Sequence, residues 1–195
     1  MREQEAPVGS EEPPRRSLSK SSRRNIRDLA IILVVAVVFG IVIRSFVFQS
    51  FFIPSGSMIP TLKPGNRVLV NKLAYDFHPV HRGDIIVFRT PPNDRGNPAI
   101  KDLVKRVVGL PGDVVSSKNG KLYINGKPLP EPYLPPGTVT NGVPVTKIPP
   151  GELWVMGDNR TDSEDSRFFG PISEKLIVGR VFLRYWPFSS FKVFG

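Results

Sequence analysis

Two features of this sequence could take part in catalysis: a serine-rich segment and a lysine within an apolar run. The run Ser-Gly-Ser-Met occupies residues 55–58, and Lys105 lies further along the chain. The two histidines, His78 and His81, stand in a polar, proline-flanked stretch that does not suit the base of a Ser-His-Asp triad. The pattern therefore predicts a serine hydrolase whose general base is a lysine.

Pro54 and Gly56 predict a tight turn around the two serines. Such a turn presents two hydroxyls together with backbone amides, so it could hold a nucleophile beside an oxyanion hole. The competing interpretation is a solvated loop in which each serine only hydrogen-bonds the local backbone. The turn therefore needs a base before it predicts catalysis.

Residues 103–110 read as a core strand, yet they include two cations, Lys105 and Arg106. Arginine does not give up its proton in a protein, whereas a desolvated lysine can. A free lysine would need about 4.6 kcal/mol to be neutral at pH 7, so burial must remove most of that cost. Lys105 is thus the candidate base, and the alternative is an edge-strand lysine that discourages aggregation.

A dense polar segment at 157–167 follows another apolar strand. It resembles a calcium loop in its many carboxylates, but two arginines lie among them, and the glycine and final glutamate of an EF-hand are missing from their positions. A network of hydroxyls and ion pairs that orients a neighbouring group fits better. A catalytic carboxylate dyad stays open as an alternative among four acids: Asp158, Asp162, Glu164 and Asp165.

The composition indicates one membrane segment and one β-rich domain. The chain has 195 residues, 40% of them hydrophobic, and its 21 prolines and 17 glycines are typical of short strands joined by turns. The absence of cysteine excludes disulfides, cysteine-ligated zinc and thiol nucleophiles. The net charge is +10, but the domain has neither a dense basic block nor a nucleic-acid-binding motif. We therefore expect the chain to contact a membrane surface and not to bind nucleic acid.

The N-terminal part predicts a membrane anchor. Residues 1–28 form a basic tail that we expect to be disordered, and residues 29–48 would span roughly 30 Å as a transmembrane helix if Arg44 snorkels toward the headgroups. A cleaved secretory signal is the alternative, but small residues are missing at the cleavage positions after residue 43. The basic tail predicts a cytoplasmic N-terminus, with residues 49–195 on the other side of the cytoplasmic membrane.

The remainder predicts an all-β domain of short strands. Asn125-Gly126 is typical of a two-residue hairpin turn, and residues 128–151, rich in proline and glycine, look like an irregular excursion from the sheet. Apolar, β-branched or aromatic runs predict strands at 67–70, 84–88, 103–108, 121–124, 153–156 and 176–183.

Taken together, the motifs resemble those of bacterial type I signal peptidases, membrane-anchored Ser-Lys proteases that remove signal peptides from exported proteins. Four of them stand in the family's order: Ser-Gly-Ser-Met-Ile-Pro-Thr-Leu at 55–62, Arg-Gly-Asp-Ile-Ile-Val-Phe at 82–88, Lys-Arg-Val-Val-Gly-Leu-Pro-Gly-Asp at 105–113, and Gly-Asp-Asn-Arg through Asp-Ser-Arg at 157–167. The resemblance implies an all-β catalytic domain of coiled antiparallel sheets after one N-terminal transmembrane helix.

The resemblance also implies roles for individual residues. Ser57 would be the nucleophile and Lys105 the general base, with the Ser57 amide and the Ser55 hydroxyl as the oxyanion hole. Ser163 would orient the lysine amine. The supporting polar residues would be Asp158, Arg160, Asp165 and Arg167. Neither a cofactor nor a metal is implied.

Substrate and partners follow from the same resemblance. Shallow apolar pockets would admit the small residues of Ala-x-Ala sites and exclude larger ones. By family position the pocket would be lined by Ile53, Met58, Leu62 and Val104. The expected partners are signal peptides of exported preproteins, membrane lipid and the protein export machinery. The alternatives are a specialised processing peptidase, of the mitochondrial inner-membrane or conjugative-pilin type, and an inactive membrane-tethered module that binds exported peptides.

Overall fold

The structure, a computed structural model, describes residues 20–94, 96–97 and 99–195. The first 19 residues of the predicted disordered tail lie outside this range. The first element is helix α1, Lys20–Phe46, which begins before the predicted start at residue 29, so residues 20–28 are helical and not disordered as expected. It ends two residues before the predicted helix end because Phe48 already pairs with Asn71 in a sheet. Its stretch Asn25–Val42 has a mean hydropathy of 2.3 and is exposed along its whole length. Among the described residues it alone is long and apolar enough to cross a membrane.

The chain divides into two compact units, the first ending at Val42 and the second comprising Ile43–Gly195. The second unit holds two further short helices, α2 (Ala74–Phe77) and α3 (Ser166–Phe169). Its strands in the described residues are β1 (Phe48–Phe52), β2 (Arg67–Asn71), β3 (Ile85–Arg89), β4 (Asp102–Gly109), β5 (Val114–Lys118), β6 (Lys121–Ile124), β7 (Lys127–Pro128), β8 (Thr146–Lys147), β9 (Glu152–Met156), β10 (Ile172–Ser173), β11 (Ile177–Trp186) and β12 (Lys192–Val193).

These strands form two antiparallel sheets, which confirms the all-β prediction. The larger sheet has the order β1-β2-β11-β3-β4-β9-β10, with β12 paired to β11, and the smaller has the order β7-β6-β5-β8. Register shifts occur where β11 pairs β2 and β3, and where β4 pairs β9. Irregularities of this kind increase the local twist of a sheet, and the large sheet is accordingly strongly curled.

All six predicted strands are present, with boundaries within three residues of the expected ones. The hairpin at Asn125-Gly126 is confirmed: both residues have positive φ, at 52° and 76°, as a tight primed turn between β6 and β7 requires. Six strands were not predicted: β1, β5 and the two-residue strands β7, β8, β10 and β12. The predicted helix included only the first residue of β1, Phe48. The strand directly follows the apolar run, and only its pairing with β2 marks it as a strand.

Three apolar clusters surround the central strands of the large sheet. One lies under the serine turn and includes Met58, Leu62 and Val87. A second, built on β5, β6 and β9, fills the space beside the smaller sheet. A third joins β3, β4 and β9 to α3. Because the side chains of these clusters pack around it, β4 is buried from Lys105 to its end at Gly109.

Candidate active site

The Ser-Gly-Ser turn is anchored by the apolar residues that follow it. Met58 and Leu62 are buried in the core, and the Leu62 N–H donates to the Met58 carbonyl over 2.8 Å. The turn itself stays near the surface, where Ser55 is exposed and Ser57 is half-buried. Their Oγ atoms lie 3.4 Å apart. Burial of Met58 and Leu62 therefore holds both hydroxyls at the protein surface.

Lys105 lies in the middle of the sheet. Strand β4 sits between β3 and β9, and Lys105 is opposite Ile86 of β3 with only 3% of its surface exposed. The edges of this path of strands are β1 and β10. The alternative of an edge-strand lysine is therefore wrong. A central position explains the burial that the chemistry requires.

Burial lowers the pKa of the Lys105 amine from about 10.5 to about 8, because the charged ammonium loses its hydration. Nearby charges modify this effect: Asp165 raises the pKa, Arg167 lowers it further, and Glu164 and Asp94 raise it. Desolvation outweighs them. A substantial fraction of the amine is therefore neutral near pH 8, as a general base must be.

A surface cavity of about 270 Å³ joins the turn to the lysine. Residues from β1, the serine turn, β4 and the polar segment after β9 line it, which brings together parts of the chain that lie far apart in sequence. Of the predicted site residues, the lining includes Ser55, Ser57, Lys105, Ile53, Met58 and Val104. The cavity rim also carries carboxylates, namely Asp102, Asp162 and Glu164.

Leu62 occupies a different place from the one expected. It is wholly buried, at 0% exposure, in the same core cluster as Ile53 and Met58, and it does not belong to the cavity lining. Its bond to the Met58 carbonyl places it under the turn. The structure therefore assigns it to the support of the turn, away from the cavity surface.

Two buried carboxylates of the polar segment each face an arginine. Asp158 accepts from Arg106 Nε (2.9 Å) and Nη2 (2.7 Å), and Asp165 accepts from Arg167 Nε (2.8 Å) and Nη2 (2.9 Å). Buried charges need such bidentate partners to offset their desolvation. Asp165 also accepts from the Gly157 N–H over 3.0 Å. These carboxylates are thus committed to ion pairs, which suits a supporting role better than a carboxylate dyad.

Arg160 connects the polar segment to the excursion at 128–151. Its guanidinium pairs with Glu131, and Nη1 also donates to Thr140 Oγ1 over 2.5 Å. Tyr133, from the same excursion, lies under the Arg106 guanidinium at 3.9 Å from the ring centroid, and burial followed by the Glu131 charge raises the pKa of this tyrosine. The irregular excursion thereby covers the far side of both ion-paired arginines.

Ser163 lies close to the nucleophile turn. Its Oγ is buried and, within the described part of the chain, has no hydrogen-bond partner. A Cβ placed on Gly157 would overlap both this Oγ and the Ser57 carbonyl oxygen. Gly157 thus leaves the space that both Ser163 Oγ and the Ser57 carbonyl oxygen occupy. An unpartnered buried hydroxyl is available to bind another group, such as the amine of Lys105.

Sequence reasoning missed two residues that the geometry brings to the site. Asn159 donates through its backbone N–H to the Ser57 carbonyl (3.0 Å) and through Nδ2 to the Gly56 carbonyl (3.2 Å). Arg106, considered only as a rejected base, is the partner of Asp158. A buried arginine in a core strand signals a buried acid elsewhere, but the sequence does not say which acid.

Comparison with known proteins gives a consistent result. A sequence model of the family described as "Signal peptidase, peptidase S26" matches residues 26–186. The signal peptidase I of Bacillus caldolyticus is 45% identical over 170 residues, covering 80% of this chain and 90% of that protein. The signal peptidase IB of Staphylococcus aureus strain COL is 41% identical over 187 residues, covering 87% of this chain and 94% of that protein.

A solved structure also matches. The crystal structure of a signal peptidase I from Enterococcus faecalis V583 aligns at 30% sequence identity with a TM-score of 0.42. The alignment covers 53% of this chain and 97% of that one.

Proposed function

This chain belongs to the signal peptidase family, peptidase S26, and from that premise we propose that it cuts signal peptides from exported preproteins with Ser57 as nucleophile and Lys105 as general base. Family membership makes it a serine endopeptidase. The observation that supports the residue roles is the shared cavity: a buried lysine with a pKa lowered to about 8 opens onto the same space as the serine turn.

In the proposed reaction Lys105 is the proton acceptor in both the acylation and the deacylation step. Neutral Lys105 takes the proton of Ser57 Oγ as that oxygen attacks the scissile carbonyl carbon. The tetrahedral oxyanion accepts hydrogen bonds from the Ser57 N–H and the Ser55 hydroxyl, and on its collapse the ammonium of Lys105 protonates the leaving amine. A water molecule then gives a proton to Lys105 and attacks the acyl carbon. As the bond to Ser57 Oγ breaks, the ammonium of Lys105 returns a proton to that oxygen, and the signal peptide leaves with its new carboxyl end.

Ser163 and the ion pair Asp165–Arg167 support this base in our proposal. The buried Ser163 hydroxyl has a free bonding capacity that an amine can use, and its backbone carbonyl accepts from Arg167 Nη2 over 3.3 Å. Asp165 begins α3 by accepting from the Arg167 N–H, so one carboxylate fixes both the ion pair and the backbone. The same carboxylate raises the pKa of Lys105 and keeps it from falling further.

Cleavage after Ala-x-Ala-type sites is the specificity that the cavity supports. Its apolar walls, Ile53, Met58 and Val104, are buried or half-buried and leave about 270 Å³. Because Met58 and Ile53 are packed in the core, these walls yield little to a large side chain, which favours a small residue such as alanine. Leu62 contributes indirectly, because it supports Met58 from within the core.

Membrane anchoring is also part of the proposal. The stretch Asn25–Val42 has the length and hydropathy of a single membrane span, and the basic residues that precede it favour a cytoplasmic N-terminus. The catalytic unit would then face exported preproteins outside the cytoplasm, next to membrane lipid and the export machinery. Protease added to intact spheroplasts should digest the catalytic unit. Protection of that unit would reverse the orientation.

The catalytic roles can be tested with the purified full chain in detergent and a preprotein that carries an Ala-x-Ala site. Ser57→Ala, Lys105→Ala and Lys105→Arg should abolish cleavage, the last because arginine keeps the charge but cannot accept the proton. Two exposed positions provide matched controls that should cleave normally: Ser189→Ala and Lys118→Ala. N-terminal sequencing identifies the cut, and cleavage by any of the three active-site variants would contradict the assignment.

Substrate variants test the specificity separately. Replacing the alanine before the cut with phenylalanine should stop cleavage, since Met58, one wall of the cavity, is packed in the core and resists displacement by an aromatic ring. The same replacement at the position between the two alanines should be tolerated. Equal cleavage of both variants would remove the Ala-x-Ala assignment while leaving the catalytic roles intact.

A further inference from the structure

Asn159 is bonded to the nucleophile turn through both its backbone and its side chain. The Asn159 N–H donates to the Ser57 carbonyl over 3.0 Å, and Nδ2 donates to the Gly56 carbonyl over 3.2 Å. The Ile59 N–H donates to the same Gly56 carbonyl over 3.0 Å. Asn159, which lies outside the turn, therefore holds both the Gly56 carbonyl and the Ser57 carbonyl.

The bond to the Gly56 carbonyl has a consequence for the adjacent amide. The peptide between Gly56 and Ser57 is trans, and in a trans peptide the carbonyl and the N–H of the next residue point in opposite directions. Fixing the Gly56 oxygen thus fixes the direction of the Ser57 N–H. Within the part of the chain that the structure describes, this N–H donates to no protein acceptor, so it is free to receive an oxyanion.

Asn159 is itself oriented by its neighbours. The Thr161 hydroxyl donates to Asn159 Oδ1 over 3.1 Å, so Nδ2, which carries the protons, is the atom that faces Gly56. The residues on either side, Asp158 and Arg160, are buried in ion pairs. Asn159 therefore projects from a rigid backbone toward the turn.

We propose that Asn159 is a positioning residue that aims the Ser57 N–H at the oxyanion. This inference rests on the proposed function, because it requires Ser57 to be the nucleophile. Asn159 acts through the Gly56–Ser57 peptide and has no role as a proton acceptor. Its effect should therefore appear where the oxyanion forms, in the transition state, and not in the binding of substrate.

Asn159→Ala in the full chain tests this, because the substitution removes the Nδ2 bond and keeps the backbone bond to Ser57. The kcat should fall about tenfold or more, yet by less than the roughly hundred- to thousandfold that complete loss of an oxyanion donor costs. The KM and the pH dependence set by Lys105 should not change. The matched control, Asn141→Ala, alters an exposed asparagine outside the cavity lining and should cleave normally.

A peptide aldehyde that ends in Ala-x-Ala gives a second readout. Its tetrahedral adduct with Ser57 places an oxygen in the oxyanion hole, so its affinity should fall in Asn159→Ala by about the same factor as kcat/KM. A non-reactive peptide of the same sequence should bind equally to both enzymes. Thr161→Val, at an exposed position, should show a smaller change in the same direction, and this covers the case in which Asn159→Ala does not fold.

Each outcome decides the inference. A fall in kcat with an equal fall in aldehyde affinity supports it. Unchanged kcat, a raised KM with unchanged aldehyde affinity, or a shifted pH profile overturns it. If Ser57→Ala is inactive while Asn159→Ala matches the parent enzyme, only this inference fails. If Ser57→Ala still cleaves, the proposed function fails first.

Discussion

Replacing Lys105 with methionine should inactivate the enzyme and at the same time stabilise it. Methionine is close to lysine in length but carries no charge, so Lys105→Met removes a buried titrating group and leaves the packing largely intact. The predicted gain follows from the pKa of the amine, which burial lowers from about 10.5 to about 8. At about 1.36 kcal/mol per pKa unit, the fold disfavours the charged amine by about 3 kcal/mol.

The pH window follows from proton linkage. Between pH 8 and 10.5 the unfolded chain binds the Lys105 proton and the folded chain does not, so the stability of the parent protein rises with pH there. Below pH 8 both states are protonated and the full penalty applies. Above pH 10.5 both are neutral and the penalty is absent. The advantage of Lys105→Met should therefore be about 3 kcal/mol near pH 6.5 and should vanish near pH 10.5.

The assay is equilibrium urea unfolding of the full chain in detergent at both pH values. The fluorescence of the two tryptophans, Trp154 and Trp186, reports on the second unit, and Trp154 is only 2% exposed in the folded state. Only the difference between the two proteins at each pH is interpreted, because the other titrating groups are common to both. Lys118→Met makes the same change at an exposed lysine and controls for the lost charge. An equal difference at both pH values, or a less stable Lys105→Met at low pH, would refute the reasoning.

Three further outcomes are expected. Ser55→Ala should lower kcat by roughly a hundred- to a thousandfold in single-turnover experiments without abolishing cleavage, and parent-like turnover would show that the hydroxyl is no oxyanion donor. The kcat/KM of the parent should rise with pH through about 8, as Lys105 loses its proton. Glu164→Gln should move this rise to lower pH, because the Glu164 carboxylate raises the pKa of Lys105. A kcat/KM that is flat across this pH range would contradict the Ser-Lys mechanism. Gly157→Ala should lower both kcat and the free energy of unfolding, because its Cβ would overlap the Ser57 carbonyl oxygen and force the backbone to shift. Normal kcat in a folded variant would show that the close approach of Gly157 to Ser57 is unnecessary.

Local sequence patterns predicted much of the fold. Six of the twelve described strands were predictable, because apolar, β-branched and aromatic residues recur in them between turn residues. The Asn125-Gly126 hairpin was predictable because few other pairs accept positive φ at both positions. β1 was not predictable, since Phe-Gln-Ser-Phe-Phe after an apolar run does not separate from the end of a helix. Its backbone pairing with β2, some 20 residues later, decides its conformation.

The site was predictable in its residue types and less so in its arrangement. The choice of Lys105 over Arg106 as the base follows from chemistry alone, because only lysine can lose its proton. The role of Arg106 as the partner of Asp158 does not, because 52 residues separate the two. The placement of Leu62 in the core likewise needed the structure, since an apolar residue near a nucleophile suits a pocket wall and a core position equally well.

The sequence by itself therefore determined which groups are able to react, the strands that carry them and the family to which the motifs point. The tertiary structure decided how those groups are tuned and aimed. Lys105 acquires its lowered pKa only when β3, β9 and the polar segment exclude water around it, and Ser57 acquires a directed amide only when Asn159 reaches it from about 100 residues away. Solvent exclusion and hydrogen-bond geometry depend on distances in space, which local sequence patterns do not encode.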